Sequence, residues 1–184
     1  MAKTDFETAL ANSLRKLMRS LKGKLARRLA AQGHVLTGKL RDSISYKVER
    51  VGSKMIAEMT ALDYGMIIEV GVPAGRIPYS GRTGKGGTSQ YIQGLVRFWQ
   101  IKKGLSARES LRAAFATAAV HKREGIPSRG SYGHSRNGER TNWIKNTLQD
   151  NLEQIGLTLK NEVGLILTLE YEEELKFEPI KFYV

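Results

Sequence analysis

The stretch Ser80-Gly-Arg-Thr-Gly-Lys-Gly-Gly-Thr-Ser89 has the residue types of a phosphate cradle: four glycines, Arg82, Lys85 and hydroxyl side chains. A nucleotide-binding loop of the Walker kind needs glycine five positions before the Gly-Lys pair and Ser or Thr directly after it. The backbone N–H groups can then wrap the phosphates while the hydroxyl reaches Mg²⁺. Here Tyr79 stands five before Gly84, and Gly86 follows Lys85. Pro78 also disfavours the central strand that must precede such a loop. Spacing rules out the phosphate-hydrolysing reading, and the stretch is expected to be a cationic loop that packs no core.

Other chemistries fare no better. His34, His121 and His134 lie in separate segments, none at metal-ligand spacing from a second ligand, and the chain has no cysteine. A zinc centre is not expected. No Gly-x-Ser-x-Gly elbow is present. Asp63 and Glu69 are close enough in sequence for a carboxylate pair, but they read more simply as solvated or interface charges. His121, in "AAVHKREG", is expected near a helix C-terminus, where an imidazolium is favoured. The residues suggest no catalysis and no cofactor.

Charge is more informative. The chain of 184 residues carries +12 formally, unevenly spread. Residues 170–184 hold five glutamates against two lysines, a net −3, so the other 169 residues carry +15. Residues 72–141 alone hold thirteen Lys and Arg against Glu109, Glu124 and Glu139. A basic body with an acidic end favours contact with phosphate or with the acidic patch of an identical neighbour. Aromatics alternate with cations at Tyr79, Arg82, Lys85 and Tyr91, and again at Arg129, Tyr132, Arg136 and Arg140, as in single-strand binders. No nucleic-acid-binding motif accompanies them. Absence of cysteine permits a cytosolic origin, the charged N-terminus resembles no signal peptide, and no apolar run approaches a membrane span.

The elements that must carry these residues follow from periodicity. Phe6, Leu10, Leu14, Leu17, Leu21, Leu25 and Leu29 recur at helical spacing, predicting one amphipathic helix over 4–32, capped by Thr4 and ended by Gly33. "LTGKLRDSI" reads as a short helix behind Thr37, with Leu36, Leu40 and Ile44 on one side. "SYKVERV" and "KMIAEMT" alternate as two strands joined at Gly52-Ser53. "YGMIIEVGV" is a strand, or a helical turn leading into one. Residues 73–89 are the loop. A helix follows from Tyr91 to Gly104 with Leu95, Phe98 and Trp99 on its face. "SARE" at 106–109 forms a capping box for another helix bearing Leu111, Phe115, Ala118 and Ala119, stopped by Gly125 and Pro127. After the loop at 128–140, a last long helix places Trp143, Ile144, Leu148, Leu152, Ile155, Leu159 and Val163 on one stripe. The end reads as extended.

The expected fold is therefore α+β, a small antiparallel sheet packed by long N- and C-terminal helices. Residues 1–72 and 128–169 would form the core, 73–127 a basic loop with a two-helix insertion, and 170–184 an acidic C-terminal arm.

Two blocks in this order resemble the tail-completion or head–tail joining (neck) proteins of tailed bacteriophages, the gene-ten-like family of HK-type phages. Thr37, Gly38, Leu40, Ser43 and Ile44 match a Thr-Gly-x-Leu-x-x-Ser-Ile block, and Tyr64, Ile67, Ile68, Glu69 and Gly71 match a later Tyr…Glu-x-Gly block. The family usually has Thr where this chain has Val72. The resemblance spans 1–72 and roughly 128–164. It implies a non-catalytic virion subunit, assembled in the host bacterial cytoplasm, that forms a hexameric or dodecameric ring between portal or adaptor and the tail tube or other neck proteins. Packaged DNA would be within reach and no membrane is implied. Under it, Tyr64, Glu69, Arg82, Lys85, Glu172, Glu173, Glu174 and Phe177 are candidate subunit or partner contacts. Arg82, Lys85, Arg129 and Arg136 are candidate contacts to DNA phosphate. The contrasting expectation is a stand-alone basic DNA-binding protein.

Overall fold

The computed structural model describes residues 3–52, 54–81 and 89–161. The chain is mostly helical with a single two-stranded antiparallel hairpin among the described residues, an α+β fold as expected. Two compact units are formed. Of the described residues, the first takes those up to Lys24, the stretch Ile44–Thr60 and residues 147–161; the second takes Leu25–Ser43 and Ala61–Asn146.

In the first unit, helix α1 (Lys3–Ala31) lays its leucine stripe inward, burying Ala11, Met18 and Leu21. The helix has already begun at Lys3, so Thr4 lies inside it rather than capping it. Strands β1 (Ser45–Val51) and β2 (Lys54–Thr60) pair in the register Ser45 to Thr60 through Val51 to Lys54, with the turn at the expected Gly52. The hairpin sits by α1: Arg50 reaches Glu7 at 2.5 Å, and Val48 and Met55 share a hollow with Thr8, Ala11 and Arg15.

The last helix is not continuous. Residues Trp143–Gln149 form α6, a turn intervenes at 150–151, and a second helix, α7, runs over 152–161. The Asn151 side-chain amide donates to the Thr147 carbonyl at 2.7 Å, taking an acceptor that an unbroken helix would use. Asparagine is prone to this competition with the backbone ladder. The break removes the expected continuous stripe, and Leu148, Leu152 and Leu157 are exposed. Lys24 of α1 donates to Asn151 and Gln154.

In the second unit, α2 (Lys39–Ser43) follows Thr37 and Gly38; Leu40 is buried, whereas Leu36 is exposed. The "YGMIIEVGV" stretch takes the helical alternative, α3 (Tyr64–Val70), and then a one-residue bridge in which Val72 and Ile126 exchange backbone hydrogen bonds of 2.7 and 2.8 Å. Glycine is required on both sides of this bridge. Gly71 has φ +81° and a Cβ there would lie 2.5 Å from the Ile126 carbonyl oxygen; at Gly125, φ +85°, the distance to the Val72 oxygen would be 2.7 Å. No L side chain adopts that backbone without strain, and none fits in that space.

Helices α4 (Gln90–Lys103) and α5 (Ala107–Glu124) form a helical hairpin. The turn is written locally: Gly104 caps α4 in the left-handed region, and Ser106 and Glu109 complete the capping box. The buried face of α5 is Ser110, Ala114 and Ala118, set against Ile92 of α4 with Tyr79, Tyr91, Leu95, Val96 and Phe115 around them. Leu111 and Ala119 are exposed instead. Small residues let the two backbones approach closely, so the seam follows the alanines rather than the largest side chain. Trp99 donates to Thr117 across the pair at 2.9 Å.

Candidate assembly site

Helix α3 presents two unlike faces. Inward it shows Gly65 and Glu69, both buried. Gly65 lies where an added Cβ would stand 3.1 Å from a Leu40 methyl and 3.4 Å from the Trp143 ring, and Trp143 donates its indole N–H to the Gly65 carbonyl at 3.0 Å. Leu40 of α2 and Trp143 of α6 thus both stand over Gly65. Outward, the same helix shows Met66 at 57%, Ile67 at 51% and Val70 at 73% exposure, with Tyr64 and Leu62 also exposed. Tyr64, Ile67 and Val70 stand three apart and Met66 four before Val70, so one helix surface carries all four. An apolar surface of that kind marks an interaction site more often than a solvated one.

Glu69, expected as a solvated or interface charge, is used inside the chain. Its two carboxylate oxygens accept the backbone N–H groups of Ile144 at 2.7 Å and Lys145 at 3.1 Å, while its carbonyl accepts from Asn142. The carboxylate stands in for an N-cap at the start of α6, supplied from 75 residues away. Glu69→Ala is expected to cost about 2–3 kcal/mol, because two N–H groups lose a charged acceptor. Glu69→Gln, keeping one oxygen, should lose roughly half of that; urea unfolding midpoints measure both.

The C-terminus of α1 is closed by the loop that follows residue 134. Arg136 donates its backbone N–H to the Ala31 carbonyl at 2.7 Å, and Arg140 donates through Nη1 to the Gln32 carbonyl at 2.5 Å. Arg28 holds Glu139 through Nε and Nη2 at 3.0–3.1 Å, and the buried Gln32 amide donates to Glu139 and to the Thr141 carbonyl. A helix leaves its last carbonyls without partners, and cations suit that end. Burial alone pushes the Glu139 carboxyl up, but hydrogen bonds from Gln32, Arg28 and Asn146 hold it below its usual range.

A groove of about 470 Å³ opens beside α4 and α5. Its walls are largely apolar, with Leu95, Phe98, Trp99 and Val120 among them, and its polar groups include Lys102, His121, His134 and Arg140. The Lys102 ammonium lies 5.2 Å from the centre of the Phe98 ring. Burial, then the nearby Arg140 and Lys103 charges, hold the Lys102 ammonium below its ordinary pKa. Burial likewise lowers Arg140, whose Nε is buried with no partner among the described residues.

His121 does sit in the last turn of α5, but not as an imidazolium: burial pushes its pKa down against the pull of Glu124, and its Nδ1 lies 2.7 Å from the Tyr91 hydroxyl. Desolvation of the ring outweighs the helix dipole here. His34 is lowered by burial and by Arg140. Both histidines are bases whose folded pKa lies below the unfolded one, so the unfolded chain binds more protons in between. Their stabilisation is complete above about pH 6.5 and is lost as pH falls through the lowered folded values. Thermal midpoints should therefore drop between pH 7.5 and pH 5, and His34→Gln with His121→Gln should flatten that slope.

Of the other expected site residues, Tyr64 is exposed on α3, and Arg129 and Arg136 are exposed at either end of the 3₁₀ segment Arg129–His134. Arg140, in the same cation–aromatic series, is half-buried and engaged with Gln32 rather than offered to phosphate. Arg82, Lys85, Glu172, Glu173, Glu174 and Phe177 lie outside the described residues. Met66, Ile67 and Val70 are exposed on α3 without having been expected there; the available signal is a helical stretch with more apolar residues than one inward face needs. Among the described residues no group of three or more His, Asp or Glu could hold a metal, and no helix is long and apolar enough to cross a membrane.

Comparison with protein-family models, curated proteins and solved structures gave no match.

Proposed function

We propose that this chain is a structural subunit of a phage head–tail connector, closing into a ring between portal or adaptor and tail. The observation that carries the reading is the outward apolar face of α3, with Met66, Ile67 and Val70 more than half exposed. Three such side chains on one turn-and-a-half of helix are poorly suited to water and well suited to a repeated contact. Leaving them exposed forgoes on the order of 1.5–3 kcal/mol each. A head-to-tail contact, using one surface of each copy against a different surface of the next, closes into a ring when the rotation allows. The uneven charge supports the same reading, since a basic body and an acidic end on one chain are complementary between copies. The Thr37–Ile44 and Tyr64–Gly71 blocks, which meet where Leu40 lies over Gly65, are consistent with the neck-protein resemblance but serve the fold of the subunit rather than its contacts.

The test is the mass of the purified full chain by light scattering, with negative-stain images of the same sample. A closed ring is expected. A monomer at micromolar concentration that retains duplex DNA, with affinity falling steeply as salt rises, would overturn the ring and favour the DNA-binding reading.

A further inference from the structure

The groove beside α4 and α5 is an unbalanced site. Apolar walls of Leu95, Phe98 and Trp99 lead to Lys102, His134 and Arg140, and among the described residues no carboxylate lines it. Arg140 is fixed there by the Gln32 carbonyl, with a buried Nε left over among the described residues. Lys102 is exposed at the mouth and Arg140 half-buried deeper in; like charges this close repel one another, and an anion seated between them offsets that repulsion. Burial of part of the Lys102 side chain and the Arg140 charge beside it hold the ammonium below its ordinary pKa, in the same direction.

We propose that this groove is the docking site for the acidic, aromatic segment 170–184 of a neighbouring copy. The inference rests on the ring reading and names the surface that would receive the arm. The segment matches the groove in two respects: five glutamates suit the cationic groups, and Tyr171, Phe177, Phe182 and Tyr183 between them suit the apolar walls. Hydrated DNA phosphate would satisfy the cations but leave Leu95, Phe98 and Trp99 uncovered. Residues 162–169 separate the segment from the last described helix, and eight residues can span up to roughly 28 Å, enough to cross a subunit seam.

The absence of cysteine makes a clean experiment possible. Gly130→Cys places a thiol on the groove lining, at a position where an added Cβ meets nothing within 4 Å. Leu175→Cys places the other in the arm. Full-length chains bearing one substitution each are mixed and mildly oxidised, and a disulfide-linked pair of unlike chains is expected on a non-reducing gel. Lys102→Glu in the groove chain should lower its yield about tenfold. Glu172→Lys, Glu173→Lys and Glu174→Lys in the arm chain should restore it. Absence of the interchain pair, linkage only within a chain bearing both cysteines, or a yield indifferent to Lys102→Glu would each overturn the docking. Light scattering on the same samples separates the two levels: rings without the crosslink sink the docking alone, whereas monomers sink the ring reading beneath it.

Discussion

Trp143→Ala is expected to destabilise the second unit by about 3–5 kcal/mol, the usual cost of emptying a buried indole site. Trp143 is 1% exposed, its ring lies against Gly65, and its N–H satisfies the Gly65 carbonyl at 3.0 Å. Removing it opens a cavity beneath α3 and strips that carbonyl of its donor at once. A loss of this size is a large part of the 5–15 kcal/mol that holds an ordinary domain together. Scanning calorimetry should show a fall of roughly 6–20 °C in the midpoint. Trp143→Phe separates the two contributions, since it keeps most of the volume and loses only the hydrogen bond, at about 1–2 kcal/mol. If Trp143→Ala leaves the midpoint within a degree of the parent, the packing of α6 on α3 through this ring is not what holds the unit.

Met66→Asp combined with Val70→Asp should convert the proposed rings to monomers while leaving that same midpoint nearly unchanged. Both side chains are exposed in the single chain, so the substitutions remove nothing from its core. In an assembled seam each lost side chain would withdraw roughly 1.5–3 kcal/mol, and two buried carboxylates would add a desolvation cost. Self-association should therefore weaken by more than about a hundredfold, because each 1.4 kcal/mol is a factor of ten. Sedimentation velocity across a concentration series reads this directly. Rings that persist in the double variant would move the seam away from α3, and a collapsed midpoint would show that the helix face is core after all.

Most of the local structure was legible because it is written in adjacent residues. The Ser106–Glu109 capping box, the Gly104 and Gly33 stops, and the β1–β2 turn at Gly52 depend on backbone chemistry within a few positions. Where packing had to choose between faces, periodicity was less reliable. In α5 it gave Leu111, Phe115, Ala118 and Ala119, but the close seam with α4 kept Ala118 and added Ser110 and Ala114 while leaving Leu111 and Ala119 exposed. In the last helix it saw one stripe and could not weigh the Asn151 side chain, whose bond to the Thr147 carbonyl accompanies the break.

The residues alone settled the chain's composition of forces: a strong positive charge with an acidic end, no thiol, no phosphate-loop spacing, and the first long helix, the β1–β2 hairpin and the α4–α5 pair in that order. Folding assigned the roles. It turned Glu69 from a surface charge into a cap for α6, made His121 neutral at a helix end, and drew Lys102 and Arg140 into one groove from 38 positions apart. It also left Met66, Ile67 and Val70 facing outward. Charge counts and short-range caps are properties of neighbouring residues, but desolvation and burial depend on what the rest of the chain places alongside them.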